Sequence, residues 1–372
     1  HERIVQEILT KIYQKGDIYK ARYEGFYCVG CEKFISEDEL VDNHCPLHPN
    51  KTVEKQSEEN WFFRLSKYVP TLIEAIENKN HPYHYEIAPE NKKNEVLARL
   101  KAGVRDLSIS RSEVSWGIAI PWDTSQTIYV WVDALFNYYT ATKITGKENF
   151  WPADLHLIAK DILWFHTVIW EALLLAANLP LPKKIFIHNF YSVEGQKMSK
   201  SLGNVISPQE LIEKFGVDGA RYLVACSFPA FDDADVSLDK FREKYNADLA
   251  NGLGNLVSRI ASLAKKSETI IGNEEKIDHK DEVFEQKLNE LDVSGSLVLV
   301  WEKISELNKK INELRLWTKT KEELNKDLPP LIAKLRKIAV LLTPFMPETS
   351  QKILDQFKGP TVKNEQLLFP RI

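Results

Sequence analysis

The chain has 372 residues, 44% of them hydrophobic and 27% charged, with a net charge of -4. That length leaves room for two or three domains with cores of their own, and the composition is that of an ordinary globular protein. The charge excludes a general basic coat, so a nucleic-acid partner must be met by local patches, and no apolar run approaches the roughly 20 residues a membrane span needs.

The longest apolar candidate, residues 168–181, is broken by Glu171, Asn178 and Pro180. The first residues carry no apolar targeting core. Three of the four cysteines lie within 18 residues of one another. That favours a metal site over a disulfide framework and suits a reducing cytoplasm.

In chain order, residues 1–19 are predicted as a helix, with Ile4, Val5, Ile8, Leu9 and Ile12 on one face. Cys28, Cys31, Cys45 and His48 follow with the spacing Cys-x2-Cys-x13-Cys-x2-His. Two ligand pairs, each on a tight knuckle, can converge on one tetrahedral zinc at about 2.0–2.3 Å, and a closed four-ligand shell is structural rather than catalytic. The aromatic stretch Trp61, Phe62, Phe63 and Tyr68 is expected to open a helix running towards Glu77, and a second helix is expected over residues 92–102. Residues 128–134 have the β-branched and aromatic density of a buried strand. It should lead into a helix carrying Leu135, Phe136, Tyr138 and Tyr139. A short strand at 155–159 precedes a helix over 161–177, on which Ile162, His166 and Trp170 are four apart and share one face. A lone histidine on such a face is by itself more often a satisfied core residue than a ligand. Lys160 and Asp161 stand at the end of the strand, where doubly wound sheets bind their ligands.

The strand 184–188 delivers a short basic loop in which Lys197, Met198, Ser199, Lys200 and Ser201 lie between Gly195 and Gly203. Ammonium groups are compact charges suited to a polyphosphate, and the flanking glycines let the loop close over charge that develops when a phosphoryl bond breaks. Pro208 starts a helix to Phe215. The acidic run Asp232, Asp233 and Asp235 lacks the further oxygen ligands of a calcium loop. The C-terminal third has three apolar stripes, beginning at Leu249, Val300 and Leu328, with a charged loop at 265–281 after the first. Helices with one stripe each must pack as a bundle.

Residues 197–201 resemble, letter for letter, the second signature loop of class I aminoacyl-tRNA synthetases, and the other stretches narrow the resemblance to the methionyl-tRNA synthetase family along nearly the whole chain. It implies an α/β fold: an incomplete class I nucleotide-binding (Rossmann-like) domain with a zinc-knuckle insertion and a C-terminal α-helical bundle. The expected domains are a connective insertion with the knuckle over 1–103, the second half of the catalytic domain over 104–206, a stem-contact segment over 207–245 and a helical anticodon-binding domain over 246–372.

The implied activity is ligation of methionine to tRNA(Met) through methionyl-adenylate, with ATP and Mg2+ as the substrate complex, structural Zn2+ and a cytoplasmic location. The resemblance assigns Lys200, with Lys197, to catalysis, and Asp161, His188, Met198, Ser199 and Ser201 with those lysines to ATP. It assigns Arg111, Trp131, Ala134, Tyr138, Ile162, His166 and Trp170 to methionine. Asn255, Arg259 and Trp317 fall to the anticodon, and Cys28, Cys31, Cys45 and His48 to the metal.

The sequence departs from the family's pattern at His48, a cysteine in other members, and at Ala159 and Asn189, where the family has glycine. Leu316 stands where proline often precedes the tryptophan. A first signature of the His-Ile-Gly-His kind has no counterpart in the sequence, so that part of the fold is expected to be supplied from outside it, in trans or by an N-terminal half, and the chain alone is expected to be inactive. Two other readings stand beside this one: a separate tRNA- and zinc-binding subunit active only with a partner, and a class I synthetase for another amino acid. The aromatic pocket and the set Asn255, Arg259 and Trp317 argue against the second.

Overall fold

The computed structural model of the chain describes its residues except 29, 31–32, 36–39, 47, 200–201, 272–279 and 364–366, and gives the backbone alone for 23–24, 33–34, 49–50, 56–58 and 197. The chain divides into two compact units, His1–Ile187 and His188–Ile372.

The first unit opens with α1 (Glu2–Gln14), which buries Val5, Ile8, Leu9 and Ile12 along one stripe. The helix stops short of residue 19 because Ile18 already pairs with Phe63. From there β1 (Ile18–Cys28) leads out to β2 (Lys33–Ile35), β3 (His44–Cys45) and β4 (His48–Thr52), and β5 (Glu54–Phe63) leads back. Strands β1 and β5 are antiparallel over ten pairs, from Ile18 opposite Phe63 to Tyr27 opposite Glu54. The ribbon is therefore roughly 30 Å long, at a rise of about 3.4 Å per residue, and carries the cysteine cluster at its tip. The stretch Trp61 to Phe63 thus lies on a strand and not in the opening of a helix. Its backbone groups are taken by β1, and α2 (Leu65–Glu77) begins only beyond it.

Next come β6 (Glu86–Ala88), α3 (Glu90–Lys101), β7 (Leu107–Ser108), β8 (Ser110–Arg111), β9 (Ala119–Ile120), β10 (Asp123–Ile128) and α4 (Val130–Ile144). The strand expected over 128–134 ends at Ile128: Trp131, Val132, Asp133 and Ala134 form the first turns of α4. Val132, Leu135 and Phe136 are buried there at helical rather than alternate spacing.

The unit closes with β11 (His156–Ala159), α5 (Trp170–Ala176) and β12 (Lys184–His188). Strand β12 runs parallel to β6, and the sheet order is β11-β12-β6. Ile185, Phe186 and Ile187 of β12 are all buried, as a strand covered on both faces requires. The single helix expected over 161–177 is composite. A 3-10 turn, Lys160–Ile162, and a π-helical turn, Phe165–Ile169, precede the regular α5.

In the second unit β13 (Tyr191–Val193) and β14 (Gln196–Lys197) form a hairpin. Its two connecting residues, Glu194 at φ 53° and Gly195 at φ 74°, are both left-handed. Such a turn matches the twist of the flanking strands and favours glycine at its second position. The range α6 (Pro208–Cys226) holds two helical runs: the first ends at Phe215, as the sequence suggested, because Gly216 at φ 71°, ψ 168° leaves helical geometry, and the second continues to Cys226. Then follow β15 (Ala234–Asp235), parallel to β13, and α7 (Leu238–Lys244). A π-helical stretch, Tyr245–Gly254, leads to α8 (Asn255–Lys266), α9 (Glu282–Asn289), α10 (Val293–Glu313), α11 (Lys321–Leu342) and α12 (Pro347–Gln356). Leu253, Leu256 and Ile260 meet Val300, Ile304, Leu307, Leu328, Leu331 and Leu335 in one core, the bundle that the apolar stripes required. The loop expected over 265–281 lies partly outside the described residues. No helix among the described residues is long and apolar enough to cross a membrane.

Candidate active site

In the first unit, α4 and the segment from Lys160 to Ala176 bring aromatic residues together. Tyr138 Oη lies 2.9 Å from His166 Nε2, and His166 Nδ1 lies 3.0 Å from the Ile162 carbonyl oxygen. A carbonyl only accepts, so Nδ1 carries the proton; Nε2 of the neutral ring is then the acceptor and the Tyr138 hydroxyl donates to it. Burial lowers the pKa of His166 and keeps that ring neutral. Trp170 is fully buried, with its ring edge-on to Phe136 at 5.2 Å and to Trp151 at 5.9 Å, and with Tyr138 at 6.3 Å. Trp131 stacks on Phe165 at 4.2 Å, next to His166 in the chain. Ala134, half-buried, lies between Trp131 and Tyr138 on α4.

His156 and Phe165 belong to this cluster and were missed from the sequence. The His156 ring packs 4.4 Å from Tyr138 and 6.0 Å from His166. Burial pushes its pKa down to about 4, and the neighbouring His166 adds to the shift. Alternation along β11, with His156 and Ile158 buried and Leu157 exposed, was the signal that could have placed it. His156 Nε2 and Trp170 Nε1 are buried with no hydrogen-bond partner among the described residues. Orphans of this kind are uncommon away from sites that hold water or a ligand.

Arg111 on β8 is buried. Its guanidinium lies 4.0 Å over the Tyr129 ring and donates to the Ser110 carbonyl oxygen at 2.7 Å and Ser108 Oγ at 3.2 Å. Tyr129 immediately precedes α4, so Arg111 sits beside the start of the helix that carries Trp131. Asp161 is exposed in the turn that ends β11.

In the second unit, His188 Nδ1 donates to the Asn189 carbonyl oxygen at 2.7 Å, and its ring lies 5.7 Å from Phe228. The basic loop grows out of the β13-β14 hairpin. Met198 N donates to the Tyr191 carbonyl oxygen at 3.3 Å, and Ser199 N to Asn204 Oδ1 at 2.9 Å. Lys200, Ser201 and the Lys197 side chain lie outside the described residues. The acidic run acts as a clasp on this hairpin. Asp235 accepts from Gly195 N at 2.8 Å and Ser192 Oγ at 3.1 Å and pairs with Lys240, while Asp233 accepts from Phe190 N at 2.9 Å. The Gly195 amide, followed by Lys240, holds the Asp235 carboxyl down to about 2.

At the ribbon tip, Cys28, Cys45 and His48 offer donor atoms that all lie within 4.8 Å of one another, a group that could hold a metal ion. Sγ of Cys28 and Cys45 lie 3.9 Å and 3.8 Å from His48 Nδ1. Ligands on a tetrahedron about zinc are separated by about 3.3–3.8 Å, given bond lengths of about 2.0–2.3 Å, so these separations lie at and just beyond the upper end of that range. Gly30 makes the approach possible: a Cβ there would lie 2.6 Å from His48 Cγ. Cys31 lies outside the described residues.

In the bundle, Arg259 on α8 donates to Asn312 Oδ1 at 2.7 Å and Asn308 Oδ1 at 3.4 Å on α10, and Asn255 is exposed one turn earlier. Beyond α10 the chain turns at Arg315, φ 48°, so that Leu316 is fully buried while Trp317 is 54% exposed.

Known proteins resemble this chain over its full length. The family model for class I tRNA synthetases (M) matches residues 1–56 and 38–261. The methionine–tRNA ligases of Caldanaerobacter subterraneus and Clostridium acetobutylicum are 40% and 42% identical over 100% of this chain. The chain spans 64% and 63% of their respective lengths. The structure of Mycobacterium tuberculosis methionyl-tRNA synthetase in complex with methionyl-adenylate superposes with a TM-score of 0.85 at 32% identity, covering 100% of this chain and 81% of that one. These likenesses mean that the chain belongs to the class I tRNA synthetase family, on its methionyl branch.

Proposed function

We propose that the chain acts within a methionine–tRNA ligase, activating methionine with ATP and passing the acyl group to tRNA(Met). The observation that carries this reading is the uncharged aromatic slot of Tyr138, His166 and Trp170, tied together by the 2.9 Å bond between the first two. Methionine is an unbranched, polarizable thioether, and an apolar aromatic lining with few polar atoms is the environment that selects it. Trp131, Ala134 and Ile162 extend the lining, and Arg111 flanks it.

In the proposed reaction the methionine carboxylate attacks the α-phosphate of ATP, the bond to pyrophosphate breaks and methionyl-adenylate forms. A hydroxyl of the terminal tRNA ribose then displaces AMP from the acyl carbon. Side chains perform little covalent chemistry here; they position the reactants and stabilise charge. Lys200, with Lys197, neutralises the charge that grows on the departing pyrophosphate, and the rest of the signature loop, with His188 and Asp161, binds ATP. The magnesium that accompanies ATP offsets phosphate charge.

Cys28, Cys31, Cys45 and His48 would hold one structural Zn2+, which cross-links a ribbon tip whose own apolar cluster is small, Cys28, Ile35 and Cys45 with Leu40 and Val53 against them. Asn255, Arg259 and Trp317 read anticodon bases by amide and guanidinium edges and by stacking on the indole. The divisions at 1–103, 104–206, 207–245 and 246–372 remain our assignment of these roles, with the cytoplasm as the location.

Methionine-dependent exchange of pyrophosphate into ATP tests the reading. It should occur in the chain supplemented with a fragment that carries the first signature of the family and should be lost in Lys200→Ala. Absence of exchange both with and without that fragment would overturn the proposal.

A further inference from the structure

His166 and Trp170 reach the aromatic slot on an irregular segment, in which Phe165–Ile169 form a π-helical turn between the 3-10 turn at Lys160–Ile162 and α5. A π turn spreads the backbone ladder by one residue and is rarely adopted without support from its surroundings. Three carbonyl oxygens in and just before this turn meet side-chain donors. His166 Nδ1 lies 3.0 Å from that of Ile162, Thr167 Oγ1 donates at 2.8 Å to that of Leu163, and Tyr85 Oη donates at 2.8 Å to that of Thr167.

The third donor comes from outside the segment. Tyr85 stands directly before β6, whose backbone is fixed by Glu86 N donating to the Lys183 carbonyl oxygen at 2.9 Å and by parallel pairing with β12. The whole Tyr85 side chain is buried. Glu171, one turn beyond Thr167, is buried as completely, with neither carboxyl oxygen hydrogen-bonded among the described residues, and burial pushes its pKa well up and keeps it uncharged. Oxygen atoms in such a place cost stability that phenylalanine and leucine would not. A buried polar group that finds its partner fixes one arrangement of the core in return, and the Tyr85 hydroxyl finds its partner in the turn that carries His166.

We propose that Tyr85 is a positioning residue: from its mount on the sheet, its hydroxyl holds the π-helical turn in place and so aims His166 at Tyr138. Without that bond the turn relaxes towards regular helix, which rotates the residues ahead of α5 by up to one position, about 100°, and takes His166 Nε2 away from the Tyr138 hydroxyl. The consequence for methionine rests on the function proposed above, but the aim of the His166 ring does not, and it can be measured without any activity.

Nitrogen-15 NMR of the full chain at pH 7.5 reads the ring directly, because the Nε2 resonance of a neutral histidine reports whether that atom accepts a hydrogen bond. Tyr138→Phe removes the donor and marks the position of the free acceptor. Tyr85→Phe keeps the ring and removes only the oxygen; it should move the His166 Nε2 resonance from the parent position to that of Tyr138→Phe. Ile18→Ala, which weakens the core of the same unit at β1, should leave the resonance at the parent position. In the chain supplemented with the first-signature fragment, Tyr85→Phe should raise the KM for methionine in pyrophosphate exchange roughly three- to tenfold, the factor of one lost hydrogen bond, with kcat and the KM for ATP within about twofold of the parent.

A His166 resonance that stays at the parent position in Tyr85→Phe would overturn the proposal. Equal displacement in Ile18→Ala would also overturn it, since the hydroxyl would then be ordinary packing for the whole unit, and so would an unchanged KM for methionine in a pair active in exchange. Absence of exchange in the parent, by contrast, would remove the proposed function and leave the NMR comparison to decide the role of Tyr85.

Discussion

Acid should destabilise the first unit through His156, by an amount that follows from its surroundings. The ring is 5% exposed, and burial, with His166 beside it, pushes its pKa from 6.5 down to about 4. In the unfolded chain the same ring titrates near 6.5. Between those two values the unfolded state binds the proton and the folded state does not, so stability rises with pH across the window and is lost as pH falls through it. At pH 5 the unfolded ring is almost wholly protonated and the folded ring only about one-tenth so. The loss relative to pH 7.5 is about 2 kcal/mol, approaching about 3 kcal/mol once both values are passed. His166 shifts in the same direction for the same first cause and adds to the effect.

The assay is urea unfolding of the full chain at pH 7.5, 6 and 5, beside His156→Phe, which keeps an aromatic ring against Tyr138. Carboxylates titrate in both proteins and cancel in the comparison. The parent should lose about 2 kcal/mol more than the variant between pH 7.5 and 5. Parallel curves, or an NMR titration of His156 centred at 6.5, would refute the argument that this pocket is built to exclude charge. The functional meaning is that a neutral lining favours a thioether over a charged side chain of similar length.

Two further outcomes follow from the other candidate sites. Elemental analysis should find one zinc per chain, and Gly30→Ala, whose new methyl would press on the His48 ring, should weaken zinc retention against a chelator roughly 10- to 100-fold; equal retention would separate the knuckle geometry from metal binding. Trp317→Ala should weaken tRNA(Met) binding by about 1–3 kcal/mol if the 54% exposed indole stacks on a base; unchanged affinity would make the residue mere surface.

Much of the site was legible before the fold. The spacing of Cys28, Cys45 and His48 placed their donors together, since paired knuckle residues converge through local turns alone. The four-residue spacing of His166 and Trp170 put both beside Tyr138 even though part of the segment is π-helical, because a single wide turn displaces side chains by only one position. The apolar stripes at Leu253, Val300 and Leu328 required a bundle, because each helix has one face that water disfavours.

What the sequence did not determine depended on pairing between distant segments. Trp61 and Phe63 suit a helix or a strand equally, and the strand prevails because β1 offers ten registered partners. Trp131 and Ala134 looked like strand residues by composition, but the ladder ends at Ile128 and burial then follows a helical period. His156 enters the pocket only through the packing of β11 beneath α4. Met198 packs against the core of the second unit only because α6 and the bundle fold beneath the hairpin. Local chemistry is written in neighbouring residues, and so motifs, caps and stripes can be read in order along the chain. Which faces meet is decided by the summed burial of surfaces far apart in sequence, and that sum exists only in the tertiary structure.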